Sequence, residues 1–428
     1  MSDPEDDKRA SSGRKGIGRA LGLGLITGAA DDDPSAIGTY ASAGARFGPD
    51  ILWTAPVTLP MMYAVVYLSS KLGQVSGRGL FHVIRDYYPR WLLWALLVGV
   101  LAGNIIEAAA DLGGMAAAIN LFLPLPVPLI VVAVGVAIFT LQLAGSYELI
   151  RNLFRWLALA LLAYVGSALL ANPDGAAVLR GTLMPRIEFS REFLSILVAI
   201  IGTTLSAYLY TWQSNEEVEE EIAQGRTKLA ERKGATDGEL RRTRRDIIIG
   251  MTFSNLVMYF IILSTASTLY KEGRTEIETA AQAAEALRPI AGDAAGILFA
   301  AGIIGVGFLA VPVMTTGAAY DLAQALGWRH SLDARPGEAK RFYIAIGAFT
   351  ALAVLLNFLG FNPMKALVWS GIVQGFSTPP LLLLIMIMTN DRRIMGERTN
   401  SRFTNVLGGT TTAAVFLASA GLVATWFM

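Results

Sequence analysis

Runs of about 20 apolar residues alternate with short polar stretches along this chain, and each run is long enough to cross a hydrocarbon layer of roughly 30 Å. Eleven such runs can be drawn, at 17–45, 51–71, 91–120, 127–145, 154–171, 192–215, 246–270, 295–325, 342–361, 364–389 and 405–427. A soluble all-helical protein does not carry so many, so the pattern predicts an all-α polytopic membrane protein. Two runs are interrupted. The first contains AADDDPSAIGTY, residues 29–40, where Asp31, Asp32 and Asp33 precede Pro34. A charged group at the bilayer centre costs at least a few kcal/mol and is rare without a function, and the proline breaks the hydrogen-bond ladder. The sixth run holds Gly202, Thr203, Thr204 and Ser206 in GTTLSAYLY, without a proline.

Discontinuous helices at corresponding places in two inverted repeats are the usual site of a membrane transporter. The layout therefore predicts five spans, five inverted spans and one more. Repeat one covers about 17–171, repeat two about 192–389, and the extra span about 405–427. All belong to one transmembrane domain, 16–428, behind a disordered cytoplasmic tail, 1–15.

Composition narrows the class. Charged residues make up 16% of the chain and hydrophobic ones 54%; mean hydropathy is +0.49. A soluble chain carries roughly 25% charged residues. The net charge of +1 gives no reason to expect nucleic acid, and the absence of cysteine removes disulfides and thiolate metal sites. The start, MSDPEDDKRASSGRK, lacks the apolar region of a signal peptide. With the N-terminus in the cytoplasm, Arg46, Arg180, Arg186, Arg191, Lys271, Arg274, Arg288 and Lys365 fall outside and the other 27 of the 35 Lys and Arg fall inside. That bias predicts a cytoplasmic N-terminus and an outside C-terminus, in a bacterial inner membrane. The long insertion 214–246, acidic then basic, reads as a solvated helix extension with a juxtamembrane basic patch.

Few polar side chains fall within the runs. Asn104, Glu107 and Asp111 sit at i, i+3 and i+7, on one face of the third; such a stripe must face a cavity or another span. It reads either as a buried interhelical network or as an ion or proton pathway. Asn255 and Gln374 read as helix–helix hydrogen bonds, the latter followed by Pro379 and Pro380. Both histidines, His82 and His330, lie in loops. No Walker loop and no nucleophile–base pair is present, and GIGRALG lacks the strand of a dinucleotide site; Gly18 and Gly22 suit close helix packing instead. No enzyme, cofactor or obligate protein partner is expected, only the bilayer and a solute.

From about residue 16 onward the chain resembles the NRAMP (natural resistance-associated macrophage protein) family of divalent metal transporters. That family's first span carries Asp-Pro-Gly-Asn, matched here by Asp33, Pro34, Ser35 and Ala36. KLGQVSGRGLFHVIRDYYP is similar to its stretch after the second span, and AAADLGGMAAAINLFLPLPVPL to its third span, with Asp111 at the family's aspartate. In the sixth span Thr203 matches the alanine whose carbonyl binds metal. Ser206 matches the methionine, Ala207 the proline, Tyr208 the histidine and Leu209 the asparagine; a second family histidine falls at Gln213. The resemblance implies a LeuT-like fold. It also implies a divalent cation held by Asp33, by the Ser206 hydroxyl or its waters, and by carbonyls at Thr203 and near Ala30. Asp31 and Asp32 would stand behind or beside that site, and Glu107, Asp111 and Gln374 along a proton pathway.

The departures shape the ion. Ala36 replaces a ligating asparagine and Ser206 a thioether. A hydroxyl is a hard donor suited to magnesium, calcium or manganese, and a roomy oxygen-lined site suits magnesium, which keeps several waters. The reading is a transporter of Mg2+ or Mn2+, with proton coupling weakened by the loss of both histidines. Two alternatives stand beside it. One is an ion-coupled symporter of a small organic solute, with Tyr208 and Trp212 lining a larger pocket. The other is a metal sensor without flux.

Overall fold

The computed structural model describes residues 23–144, 161–331 and 336–427, and every regular element among them is helical. In chain order these are α1 (Leu23–Asp31), α2 (Pro34–Phe47), α3 (Thr54–Ser76), α4 (Leu80–Tyr87), α5 (Arg90–Asn120), α6 (Val127–Ala144), α7 (Leu162–Leu170), α8 (Gly175–Leu183), α9 (Arg191–Thr204), α10 (Ala207–Ala223), α11 (Leu229–Arg232) and α12 (Asp237–Thr265). There follow α13 (Ala280–Glu285), α14 (Arg288–Ala291), α15 (Ala295–Leu326), α16 (Lys340–Leu356), α17 (Pro363–Asn390), α18 (Arg392–Met395) and α19 (Arg402–Ala424). The tail 1–15, Gly18, Gly22, Arg151, Arg155 and Arg335 lie outside the described residues.

Among the described residues seven helical stretches are long and apolar enough to cross a membrane: 90–120, 191–223, 237–270, 288–326, 340–359, 363–390 and 402–424. Residues 34–51 and 54–76, bent by 116°, give an eighth if they form one span. The eleven runs drawn from the sequence exceed this count for physical reasons. The helix at 127–143 is short, the fifth run is described only from residue 161, and the first begins before the described residues and is broken. The outer surface is apolar, with Leu129, Val136, Ile344, Leu355 and Leu417 each more than half exposed. A water-facing monomer rarely shows so much contiguous apolar surface; lipid is its solvent.

The core is assembled by close helix contacts, α1 and α2 against α12, α9 against α17, and α5 between α15 and α17. Small residues set these distances, since bilayers supply no hydrophobic drive between helices. A Cβ on Gly202 of α9 would overlap the backbone of Gly371 in α17, and one on Gly28 of α1 would overlap Gly250 in α12. The broken segments are therefore gripped backbone to backbone, which places their interruptions at the centre of the molecule.

Candidate metal site

The first interruption follows from its sequence. Asp33 has extended backbone (φ −64°, ψ 171°) and N-caps α2, its Oδ1 accepting the Ala36 amide at 2.6 Å. Pro34 occupies the first helical position, where no amide proton is needed. Asp-Pro is thus a stop for α1 and a start for α2. The last carbonyls of α1 lose their helical partners, and that of Ala30 accepts the Tyr208 hydroxyl at 2.7 Å. The same hydroxyl lies 3.1 Å from Asp33 Oδ2. A helix C-terminus of partial negative charge and a buried carboxylate meet here, which suits a cation.

The second interruption needs no proline. α9 ends at Thr204 and α10 begins at Ala207. Between them the Leu205 carbonyl is captured by the hydroxyls of Tyr210 (2.6 Å) and Thr378 (3.1 Å). The Ser206 hydroxyl stands 2.8 Å from the Gly202 carbonyl, 3.1 Å from that of Thr203 and 3.2 Å from Glu107 Oε1. One proton faces three acceptors and cannot serve all of them fully. Tyr208, the second residue of α10, ties the second break to the first.

α5 forms the third wall. Asp111 Oδ1 accepts the Ser35 amide (2.9 Å) and hydroxyl (2.6 Å), and the Ser370 hydroxyl of α17 donates on to Ser35 Oγ (2.9 Å). Gln374 donates to Glu107 Oε2 at 2.6 Å and reaches Asn104 Oδ1 at 3.4 Å. The α5 stripe faces other spans, not lipid. Ala30, Asp33, Glu107, Asp111, Thr203, Ser206 and Gln374 are all fully buried.

A family model described as natural resistance-associated macrophage protein-like matches residues 24–425. The chain belongs to that family. Its relatives include a protein of Klebsiella pneumoniae (strain 342) named divalent metal cation transporter MntH. The two are 27% identical over 401 residues, 91% of this chain and 90% of that one. The protein of the same name from Deinococcus radiodurans is 27% identical over 412 residues, 94% of this chain and 89% of its own. Among solved structures, an Eremococcus coleocola manganese transporter superposes with a TM-score of 0.70 at 18% identity, covering 95% of this chain and 87% of that one. A nucleobase-cation-symport-1 family transporter does so with 0.58 at 13%, covering 95% and 92%. The fold is that of LeuT-like transporters, and the chain is an integral membrane protein.

Within this NRAMP-like frame the predicted residues divide into groups. Asp33 and the Ala30 carbonyl share one knot with Tyr208; Ser206, the Thr203 carbonyl and Glu107 share a second; Asp111 and Gln374 brace the α5 side. Asp31 and Asp32 turn the other way, to Ser254 of α12 (2.6 and 3.2 Å). Asn255 hydrogen-bonds to α3 through the Ala55 carbonyl and the Thr58 hydroxyl. His82 and His330 lie outside the site, His330 against Trp328 and Tyr320.

Among the described residues no three His, Cys, Asp or Glu side chains converge as a ready-made metal cluster. The one strong carboxylate of the break is complemented by carbonyls and hydroxyls. Three participants escaped the sequence reading. Tyr208 was placed at a family histidine position and as a pocket wall, whereas its hydroxyl lies against both the Ala30 carbonyl and Asp33. Ser370 was not singled out; its signal is the i, i+4 spacing with Gln374. The head of the insertion 214–246 is not solvated. It continues α10, with Glu217 buried and accepting from Ser70 (2.6 Å), Gln74 (2.6 Å) and Gln213 (2.8 Å).

Proposed function

We propose that the chain is a secondary transporter, not an enzyme, and carries divalent metal cations through the membrane by alternating access. The observation that supports this most is the junction of the two helix breaks, where Tyr208 joins the freed Ala30 carbonyl to Asp33. Asp33 is the principal ligand. Ser206 supplies a hydroxyl or orders waters, and the carbonyls of Ala30 and Thr203 complete an oxygen shell. Ala36 brings no donor. This set contains no sulfur or imidazole, so it is hard and favours magnesium or manganese with part of the hydration shell kept. Opening to either side requires α1 and α10 to move relative to α5 and α17, which exchanges the Tyr208 hydrogen bonds for metal bonds.

The same reading takes repeats at about 17–171 and 192–389 with an extra span at 405–427, a cytoplasmic N-terminus and an outside C-terminus. With tyrosine and glutamine at the two histidine positions, it assigns no proton co-transport to the α10 side; Glu107 and Asp111 are the remaining carriers. Calorimetric titration of the purified protein tests the site. Magnesium and manganese are expected to bind at Asp33 with comparable, weak affinity, and Asp33→Ala is expected to remove that binding event for both ions. A manganese affinity far above that for magnesium would contradict an all-oxygen, hydrated site.

A further inference from the structure

Five carboxyl groups, Asp31, Asp32, Asp33, Glu107 and Asp111, are fully buried around the breaks. Among the described residues Lys71 is the one buried basic side chain. Its ammonium is spent on the Thr399 carbonyl (3.0 Å) and the Asn400 amide oxygen (3.1 Å). The acids therefore receive no counter-charge from the protein, and buried carboxylates need one. A single divalent ion at Asp33 answers only part of that deficit.

The acids point in two directions. Asp33 faces Tyr208, with Glu107 and Asp111 across on α5. Asp31 and Asp32 face α12, where the single hydroxyl proton of Ser254 lies between Asp31 Oδ2 (2.6 Å) and Asp32 Oδ1 (3.2 Å) and cannot satisfy both. The second oxygen of each, Asp31 Oδ1 and Asp32 Oδ2, is buried with no hydrogen-bond partner. Beside them the fully buried Tyr40 hydroxyl of α2 also completes no hydrogen bond. The charges that bear on it most are Asp31 and Asp32. Thr203 lies near it but directs its own hydroxyl proton to Ala199 and Ile200.

We propose that Asp31, Asp32 and Ser254 form a second divalent-cation site, on the α12 side of the break, filled together with the site at Asp33. Its donors are two carboxylates and a hydroxyl, with Tyr40 as a further oxygen. An all-oxygen set with two charges is what a hard divalent ion takes, its remaining positions filled by water. The inference rests on the reading of Asp33 as the first site but uses different residues and a different helix.

Manganese stoichiometry tests it, measured on the full chain in detergent by equilibrium dialysis and elemental analysis, with spin resonance to detect paired ions. The wild type is expected to hold two Mn2+ per chain with mutual broadening. Asp31→Asn with Asp32→Asn is expected to hold one, and Asp33→Asn also one. If the double variant does not fold, Ser254→Ala decides. It should weaken one of the two sites by about ten-fold or more while sparing the other. One ion in the wild type that is lost in Asp33→Asn overturns the second site and leaves the first. Two ions retained in the double variant, or no change in Ser254→Ala, also overturn it. No binding in any protein would overturn both sites.

Discussion

Tyr208 holds one hydroxyl proton against two acceptors, the Ala30 carbonyl and Asp33 Oδ2, that a bound cation would claim. It pairs with the Ala30 carbonyl and stands within reach of Asp33 Oδ2 in a fully buried site, where an orphaned acceptor costs about 1–3 kcal/mol. Tyr208→Phe removes that protection only in the metal-free protein. Its metal-free melting temperature should therefore fall, and the rise on adding manganese should exceed that of the wild type; equal shifts would separate Tyr208 from the ion. Asp33 was legible from sequence because proline after an aspartate marks a helix start wherever it falls. Ser35 and Ser370 were not. Their importance lies in a relay from α17 to Asp111, and a lone serine in an apolar run carries no sign of what it will meet.

At the scale of elements, the first break could be read and the second only surmised. Pro34 announces one, whereas the other is made by the Tyr210 and Thr378 hydroxyls taking the Leu205 carbonyl, contacts that exist only after packing. The extension of α10 shows the same limit. Gln213, Glu217 and Glu221 repeat every fourth residue and form one buried stripe, but acids in a row look solvated until α3 is laid against them. Glu217 accepts from three side chains there, and Gln213 also accepts from Thr27 of α1 at 2.6 Å. This network joins α1, α3 and α10, and its placement predicts a latch between them. Glu217→Ala leaves its donors unpaired and should cost roughly 1–3 kcal/mol. It should also admit cysteine reagents to a cysteine placed at Thr27; a sealed α1–α10 contact in that variant would refute the latch.

The short helix α4 lies outside the spans and carries a pH response. Burial, helped by Arg85, holds the His82 pKa down to about 4 from its usual 6.5. A histidine depressed in the folded state binds protons more readily when unfolded. Its contribution is whole above about 6.5 and is lost as pH falls towards 4. His82→Asn should therefore lessen the drop in melting temperature between those values. A drop as steep as in the wild type would place the acid response elsewhere.

For the whole molecule, membrane insertion and helical class could be read from hydropathy alone, and the LeuT-like architecture from the family resemblance carried by the residues around the two interruptions. Among the described residues seven of the eleven runs coincide with long apolar helices, and the bent pair 34–51 and 54–76 and the shorter helix at 127–143 fall on three others. What the pattern could not convey is the distribution of charge. Among the described residues five acids surround the breaks while the one buried base, Lys71, is bonded elsewhere, a deficit that bound cations would relieve. The orientation proposed from the lysine and arginine bias is open to a direct test. An epitope at the C-terminus should be reachable from outside in spheroplasts without detergent, and labelling only after permeabilisation would invert the topology.

The central claim is that a divalent cation crosses at the break closed by Asp33. Its most direct test is uptake of magnesium and manganese into proteoliposomes containing the wild type or Asp33→Asn, with equal amounts of folded protein confirmed by gel filtration. The account predicts uptake of at least one of the two ions above empty vesicles in the wild type and a fall to that background in Asp33→Asn. Neither ion entering with the wild type, or equal uptake by the two proteins, would contradict it.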